Sequence, residues 1–136
     1  MKIIVAGGGV VGEQVARALI ASNHQVTVVE DDRARAAALS AQGMVVVAGN
    51  ANVASSLENA GALRADVLIA CTDRDEENLL IAILGKRHLQ IPRIIARLND
   101  DENSWLFDAS WGVDAAISSA GALVALVQSV DEHVEL

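Results

Sequence analysis

A glycine-rich segment near the start of the chain has the composition and spacing of a phosphate-binding turn. Residues 7–12 read GGGVVG, which contains G-x-G-x-x-G between an apolar run and an amphipathic stretch. The first glycine permits a tight turn, the second lets a phosphate approach the backbone, and the third lets a helix pack close to a strand. Free N–H groups and the dipole at the helix start attract anions. The pattern predicts a phosphate site at Gly7, Gly9, Val10, Val11 and Gly12, the alternative being a turn that only packs a helix against a sheet.

An acidic side chain ends the second predicted strand. Glu30 closes the apolar run QVTVVE and is followed by Asp31 and Asp32. A carboxylate at this position of a nucleotide-binding fold accepts both hydroxyls of a ribose and repels a 2′-phosphate. We therefore expect Glu30, with Asp31 beside it, to face the ligand and to favour NADH over NADPH. For Glu30 an ordinary solvated helix cap is the alternative, and for Asp32 the cap is the preferred interpretation.

The end of the fourth predicted strand contributes further side chains to the same place. Cys71, Thr72 and Asp73 follow the run DVLIA. Where the strand order of a doubly wound sheet changes direction, the carboxyl ends of the strands form a ligand-binding crevice. These three residues should line that crevice. Thr72 and Asp73 are also candidate helix caps, and Cys71 is either a small buried apolar residue or a reactive thiol.

The elements that position these residues alternate regularly along the chain. Apolar runs predict strands at residues 2–6, 25–30, 44–48, 66–71, 93–97 and 113–117. Amphipathic stretches predict helices at residues 11–22, 33–42, 53–60, from about 75 to 88, 101–110 and 119–132. Strict alternation of strands and helices predicts right-handed crossovers and a parallel sheet. We expect a single α/β domain over residues 1–136, with a Rossmann-type doubly wound six-stranded parallel sheet of order 3-2-1-4-5-6.

Composition excludes several classes of function. The formal net charge is −8 and no basic run occurs, which argues against nucleic-acid binding and against docking on anionic lipid. No apolar run approaches the roughly 20 residues of a membrane-spanning helix, so no direct membrane insertion is expected. The single cysteine fits a cytoplasmic location.

Catalytic and metal-binding patterns are missing from the sequence. No tyrosine is present, and His24, His88 and His133 do not have metal-ligand spacing. The predicted domain uses the whole chain and leaves no room for a substrate domain. We therefore expect a binding protein without a metal site and not an enzyme. Two alternatives stay open: an NAD-binding fragment of an oxidoreductase whose catalytic domain is absent from this chain, and an interaction module whose nucleotide is purely structural.

The sequence resembles the TrkA-N domain, also called the N-terminal domain of regulators of K⁺ conductance (RCK). The resemblance rests on MKIIVAGGGVVG, HQVTVVEDD, the loop Gly49-Asn50-Ala51, ADVLIACTDRDEENLL, and IARLND before GVDAAIS, and it covers residues 1 to about 127. It implies a regulatory domain that binds NAD(H), AMP, ADP or ATP, pairs as a homodimer or larger homo-oligomer, and acts on a membrane-embedded K⁺ transporter or channel. By position, it implies that Asn50 and Ala51 lie against adenine and that Arg97 reaches a phosphate.

Three departures from the family pattern bear on the ligand. Val10 stands where members often have arginine, Asn50 where they usually have aspartate, and Ser119-Ala120 where many have Pro-Glu. These changes weigh against Mg²⁺- or Ca²⁺-assisted ATP binding and leave NAD(H) or AMP binding intact.

The last predicted helix carries an apolar stripe. Leu123, Leu126, Val127 and Val130 follow the i, i+3, i+4, i+7 spacing of one helix face. Two interpretations stay open: the stripe packs on the sheet, or it is exposed as a dimer or crossover helix.

Overall fold

The structure is a computed structural model that describes the backbone of residues 1–134 and the side chains of residues 1–131, so the prediction for the His133 side chain lies outside the described part. Six strands form one sheet in which every neighbouring pair is parallel, in the order β3-β2-β1-β4-β5-β6. The strands are β1 (Lys2–Ala6), β2 (Gln25–Glu30), β3 (Val45–Ala48), β4 (Val67–Ala70), β5 (Arg93–Arg97) and β6 (Ala115–Ile117). The predicted fold class and strand order are confirmed.

Helices connect the strands and cover the sheet. They are α1 (Val10–Ala21), α2 (Arg33–Ala41), α3 (Ala54–Asn59), α4 (Asp75–Ile83) and α5 (Ser119–Val134). Short 3-10 turns cover Ala62–Arg64, Asp101–Leu106 and Ala109–Trp111, and a π turn at Leu84–His88 extends α4. Within the described residues, no helix is both long and apolar enough to cross a bilayer.

Two sequence predictions of local structure were wrong. Residues 101–110 do not form one helix, because the Asp108 carboxylate accepts a hydrogen bond from the Ser110 N–H and begins a separate turn. Neither Thr72 nor Asp73 caps α4, whose first flanking residue is Arg74. The Thr72 hydroxyl instead contacts the Asn78 side chain at 2.8 Å. The predicted cap at Asp32 is confirmed, since its side chain accepts from the Arg35 N–H at the start of α2.

The core lies on both faces of the sheet. Successive residues of a strand point to opposite faces, so Ile4 packs with Leu68 on one face and Val5 packs with Val28 on the other. All four side chains are essentially inaccessible to solvent. This double burial explains why the strands are continuous apolar runs and not alternating ones.

The apolar face of α5 does not pack on the sheet. Leu123, Leu126, Val127 and Val130 are 61–68% exposed, and Val124 between them is 55% exposed. The interpretation in which this stripe completes the core is therefore wrong. A contiguous exposed apolar face of this kind marks an interaction surface.

Candidate functional site

An open cleft of about 500 Å³ lies at the carboxyl ends of the strands. Residues at or just after the carboxyl ends of β1, β2, β3, β4 and β5 meet there because parallel strands end at the same edge of the sheet. Apart from Gly12, every side chain or glycine that the sequence nominated for the site lines this cleft. These are Gly7, Gly9, Val10, Val11, Glu30, Asp31, Asn50, Ala51, Cys71, Thr72, Asp73 and Arg97.

Gly12 lies behind the turn, where it allows close packing. It is buried in the first turn of α1, and a Cβ on it would come within 1.8 Å of the Gly7 carbonyl oxygen. Only glycine permits this approach of helix to turn. Gly12 is therefore a packing residue, and it is not among the residues that line the cleft.

The glycine turn leaves backbone donors free at the start of α1. Gly7 has a φ of +112°, a conformation that favours glycine, and a Cβ there would lie 2.9 Å from the Cys71 carbonyl oxygen. Gly9 precedes the helix and supplies no side chain to accept from its first N–H groups. The space in front of Gly9 is open, because no heavy atom lies within 4 Å of a Cβ built there. Unpaired N–H groups facing open space form a site suited to an anion.

Two side chains bond to the backbone of Gly8, one at its N–H and one at its carbonyl. The Glu30 carboxylate accepts from the Gly8 N–H at 2.8 Å and from the Asp32 N–H at 2.7 Å. The Arg35 guanidinium donates to the Gly8 carbonyl at 2.7 Å and also pairs with Glu13 at 3.1 Å. Hydrogen bonds within the chain thus hold the shape of the turn. Each Glu30 oxygen uses one hydrogen bond here and keeps the capacity for a second.

Arg35 is a residue that sequence reasoning missed. Arg35 belongs to no sequence motif. It reaches the site only because the fold packs α2 against the glycine turn. Glu30 was predicted as a ligand contact and proves to be 9% exposed, with its carboxylate already bonded to two backbone N–H groups. The position of Glu30 at the cleft wall agrees with the prediction, while its role in the turn was not foreseen.

The loop after β3 forms one end of the cleft. Ala51 is 7% exposed and presents an apolar surface suited to a flat ring. The Asn50 side-chain oxygen accepts from the Asn52 N–H at 3.1 Å, so this oxygen shapes the loop. Its amide nitrogen is a donor.

The opposite end of the cleft is formed by the residues after β4 and β5. Burial raises the pKa of the Cys71 thiol above its ordinary value, an effect only partly offset by the Arg97 guanidinium. A buried and protonated thiol behaves as a small apolar side chain and not as a nucleophile. Arg97 lines the cleft and makes no ion pair with a carboxylate among the residues whose side chains are described. It is a cation available to a phosphate.

Acidic residues dominate the rim near Arg97. Asp73 and Glu77 line the cleft, and so does Arg74, whose charge is paired with Glu76 at 2.8 Å. Arg74 and Glu77 were not among the residues predicted to line the cleft. No cluster of three potential metal-ligating side chains occurs in the described part of the chain.

Fold and cleft together define a Rossmann-type domain of the nucleotide-binding class. The TrkA-N domain model matches residues 3–119, and the chain belongs to that family. It is 38% identical over 130 residues to the Trk system potassium uptake protein TrkA of Mycobacterium tuberculosis, covering 94% of this chain and 58% of the relative. The chain thus spans somewhat more than half the length of that relative.

Solved structures with the same fold include two of GsuK. The crystal structure of GsuK bound to ADP is 27% identical, with a TM-score of 0.77, and the similarity covers 98% of this chain and 34% of the other. The GsuK channel bound to NAD is 26% identical, with a TM-score of 0.73, and the similarity covers 85% of this chain and 21% of the other.

Proposed function

We propose that this chain is a nucleotide-sensing regulatory domain of a potassium transporter or channel, and that it binds NAD(H) or an adenine nucleotide in the cleft. The observation that carries the proposal is the juxtaposition of a rigid, donor-rich turn with Glu30 in one open cleft. Relatives named as potassium uptake proteins, and a channel solved with ADP and with NAD, support the same role. This role places the domain in the cytoplasm, against the inner face of the membrane that holds its partner.

The ligand lies along the edge of the sheet in this proposal. The N–H groups at the start of α1 hold the phosphates, together with Arg97, which lines the same cleft and has no ion pair among the described side chains. Glu30 accepts from the ribose hydroxyls with its remaining acceptor capacity. Asn50 and Ala51 lie against the adenine. In this proposal the domain acts by binding and not by catalysis, a role that fits the raised pKa of the buried Cys71 thiol in the cleft.

In this proposal, the exposed face of α5 couples nucleotide binding to regulation of the transporter or channel. Five apolar side chains of this helix are more than half exposed, and pairing with the same helix of a second copy would cover them. We propose a homodimer, alone or within a larger ring, whose geometry depends on the nucleotide. A ligand shifts such an equilibrium only by its difference in affinity for the two dimer states.

Calorimetry with matched nucleotides tests the proposal. The purified chain is titrated with NADH, NADPH, AMP, ADP and ATP, and released ligand is identified by mass spectrometry. We expect NADH to bind at least about tenfold more tightly than NADPH, because a 2′-phosphate would lie against the Glu30 carboxylate. Equal affinities would contradict the ribose assignment, and no binding of any nucleotide would contradict the sensing role.

A further inference from the structure

One buried side chain joins the ends of the two strands that form the Arg97 side of the cleft. The Asn78 oxygen accepts from the Thr72 N–H at 2.9 Å and from the Thr72 hydroxyl at 2.8 Å. The Asn78 amide nitrogen donates to the Thr72 carbonyl at 3.0 Å and to the Arg97 carbonyl at 2.9 Å. Asn78 is completely inaccessible to solvent.

These four contacts use the full hydrogen-bonding capacity of a carboxamide. An asparagine side chain has two donor hydrogens and an oxygen with two acceptor sites. A carboxylate of the same shape offers acceptors only, and an apolar side chain offers neither. The position therefore requires an amide, because leaving buried polar groups unpaired is costly. The sequence motif T-D-x-D-x-x-N, which runs from Thr72 to Asn78, places this amide on the first turns of α4.

The strand ends that Asn78 joins belong to one half of the cleft. In a doubly wound sheet each half of a dinucleotide lies on its own half of the strands, and the crevice falls where the order reverses. β1, β2 and β3 supply the half with Glu30 and Asn50, and β4 and β5 supply the half with Thr72 and Arg97. In the proposed binding mode, AMP places its base and ribose on the first half alone, against Asn50, Ala51 and Glu30.

We propose that Asn78 is a positioning residue that sets the second half of the cleft and thereby the preference for a dinucleotide over a mononucleotide. The assignment rests on the proposed nucleotide binding and goes beyond it, since it names which ligand the site selects and which residue makes the selection. Asn78 acts through Thr72 and Arg97, whose backbone it holds in register across the ends of β4 and β5.

The variant Asn78→Asp tests the assignment. It keeps both acceptor contacts to Thr72 and places an oxygen against the carbonyls of Thr72 and Arg97, which pushes the two strand ends apart. We expect the affinity for NADH to fall by about tenfold or more, while the affinity for AMP stays within about twofold. The readout is the ratio of the two affinities by calorimetry, which a general loss of stability does not change.

Two variants at less buried positions keep the test decisive if Asn78→Asp does not fold. Asn99 is exposed and donates to the Thr72 carbonyl at 3.2 Å and to Asp75 at 3.0 Å. Asn103 donates to the same Asp75 carboxylate at 2.9 Å and makes no contact with Thr72 or Arg97. We expect Asn99→Ala to lower the ratio of NADH to AMP affinity, and Asn103→Ala, the matched control, to leave it unchanged.

The outcomes separate this assignment from the proposed function. A selective loss of NADH affinity in Asn78→Asp or Asn99→Ala supports it. Equal losses for NADH and AMP, no loss, or a wild-type chain that binds both equally well would overturn it while leaving nucleotide sensing in place. A wild-type chain that binds neither nucleotide would overturn the proposed function and the assignment together.

Discussion

Replacing Gly9 with aspartate tests whether the glycine turn holds a phosphate. Gly9 directly precedes α1, and its backbone is extended, with φ −70° and ψ −166°, which any residue adopts. A Cβ built there meets no heavy atom within 4 Å. Aspartate is also a favourable residue at a helix start, because its oxygens accept from the first N–H groups. The variant Gly9→Asp should therefore fold normally and change only what the turn offers a ligand.

The expected loss of affinity follows from the charge introduced. Two unit charges 4 Å apart interact by about 4 kcal/mol at the effective dielectric constant of a protein surface, near 20. The cleft is open, so salt and rotation of the side chain remove part of this repulsion. If about a third remains, roughly 1.4 kcal/mol, the dissociation constant for NADH rises about tenfold. The new carboxylate also occupies N–H groups that the phosphate would use.

Calorimetry on three proteins measures this effect. Wild type and Gly9→Asp are compared with Ser40→Asp, which adds the same charge at an exposed position of α2 outside the cleft. We expect weaker NADH binding in Gly9→Asp only, with thermal melting of both variants close to that of wild type. If Gly9→Asp melts normally and binds NADH within about twofold of wild type, the phosphate does not lie at this turn.

Two further predictions concern α5 and a buried carboxylate. Leu126→Lys should raise the dimer dissociation constant at least about tenfold in sedimentation without lowering monomer stability, because Leu126 is 64% exposed. Gln128→Lys, on the opposite side of the helix, is the control, and an unchanged dimer in Leu126→Lys would show that α5 is not the interface. Burial acts to raise the pKa of Asp75, but hydrogen bonds from Asn103, Asn99 and Asp100 outweigh it and hold that pKa below its ordinary 3.8. The stabilisation of the folded chain by the ionised Asp75 carboxylate is therefore complete above pH 3.8, and it is lost as the pH falls through the lower pKa of the folded state. Urea unfolding at pH 7 and at pH 3 should show that the free energy of unfolding falls less with acid in Asp75→Asn than in wild type. Equal acid losses would contradict this role of the carboxylate.

The sheet and the position of the cleft were predictable because they depend on local patterns. The bounds of β2 agree with the apolar run that ends at Glu30, and the strand order follows from alternation and the handedness of crossovers. The residues after each strand then had to meet at one edge. Local patterns therefore sufficed to bring Glu30 and Thr72 to one cleft, whereas Arg97 was expected there only from the family resemblance.

What the sequence did not reveal depends on contacts between distant elements. The bond from Arg35 to Gly8 requires the packing of α2 against the glycine turn, and no spacing rule specifies it. The four hydrogen bonds of the Asn78 side chain likewise depend on the distance between the ends of β4 and β5. Exposure of the stripe on α5 was an open alternative, since the same periodicity describes a helix on the core and a helix at an interface.

The hydrogen bonds from Glu30 and Arg35 to Gly8 bear on how fast the proposed sensor would respond to a nucleotide. Because hydrogen bonds within the chain from Glu30 and Arg35 hold the backbone of Gly8, most of the entropic cost of ordering the turn is met when the chain folds. For the proposed nucleotide site, we then expect capture to be limited by diffusion and orientation, and differences in occupancy between nucleotides to arise mainly in their residence times. In the proposed sensing role, the domain would report changes in nucleotide concentration as fast as the bound molecule can leave.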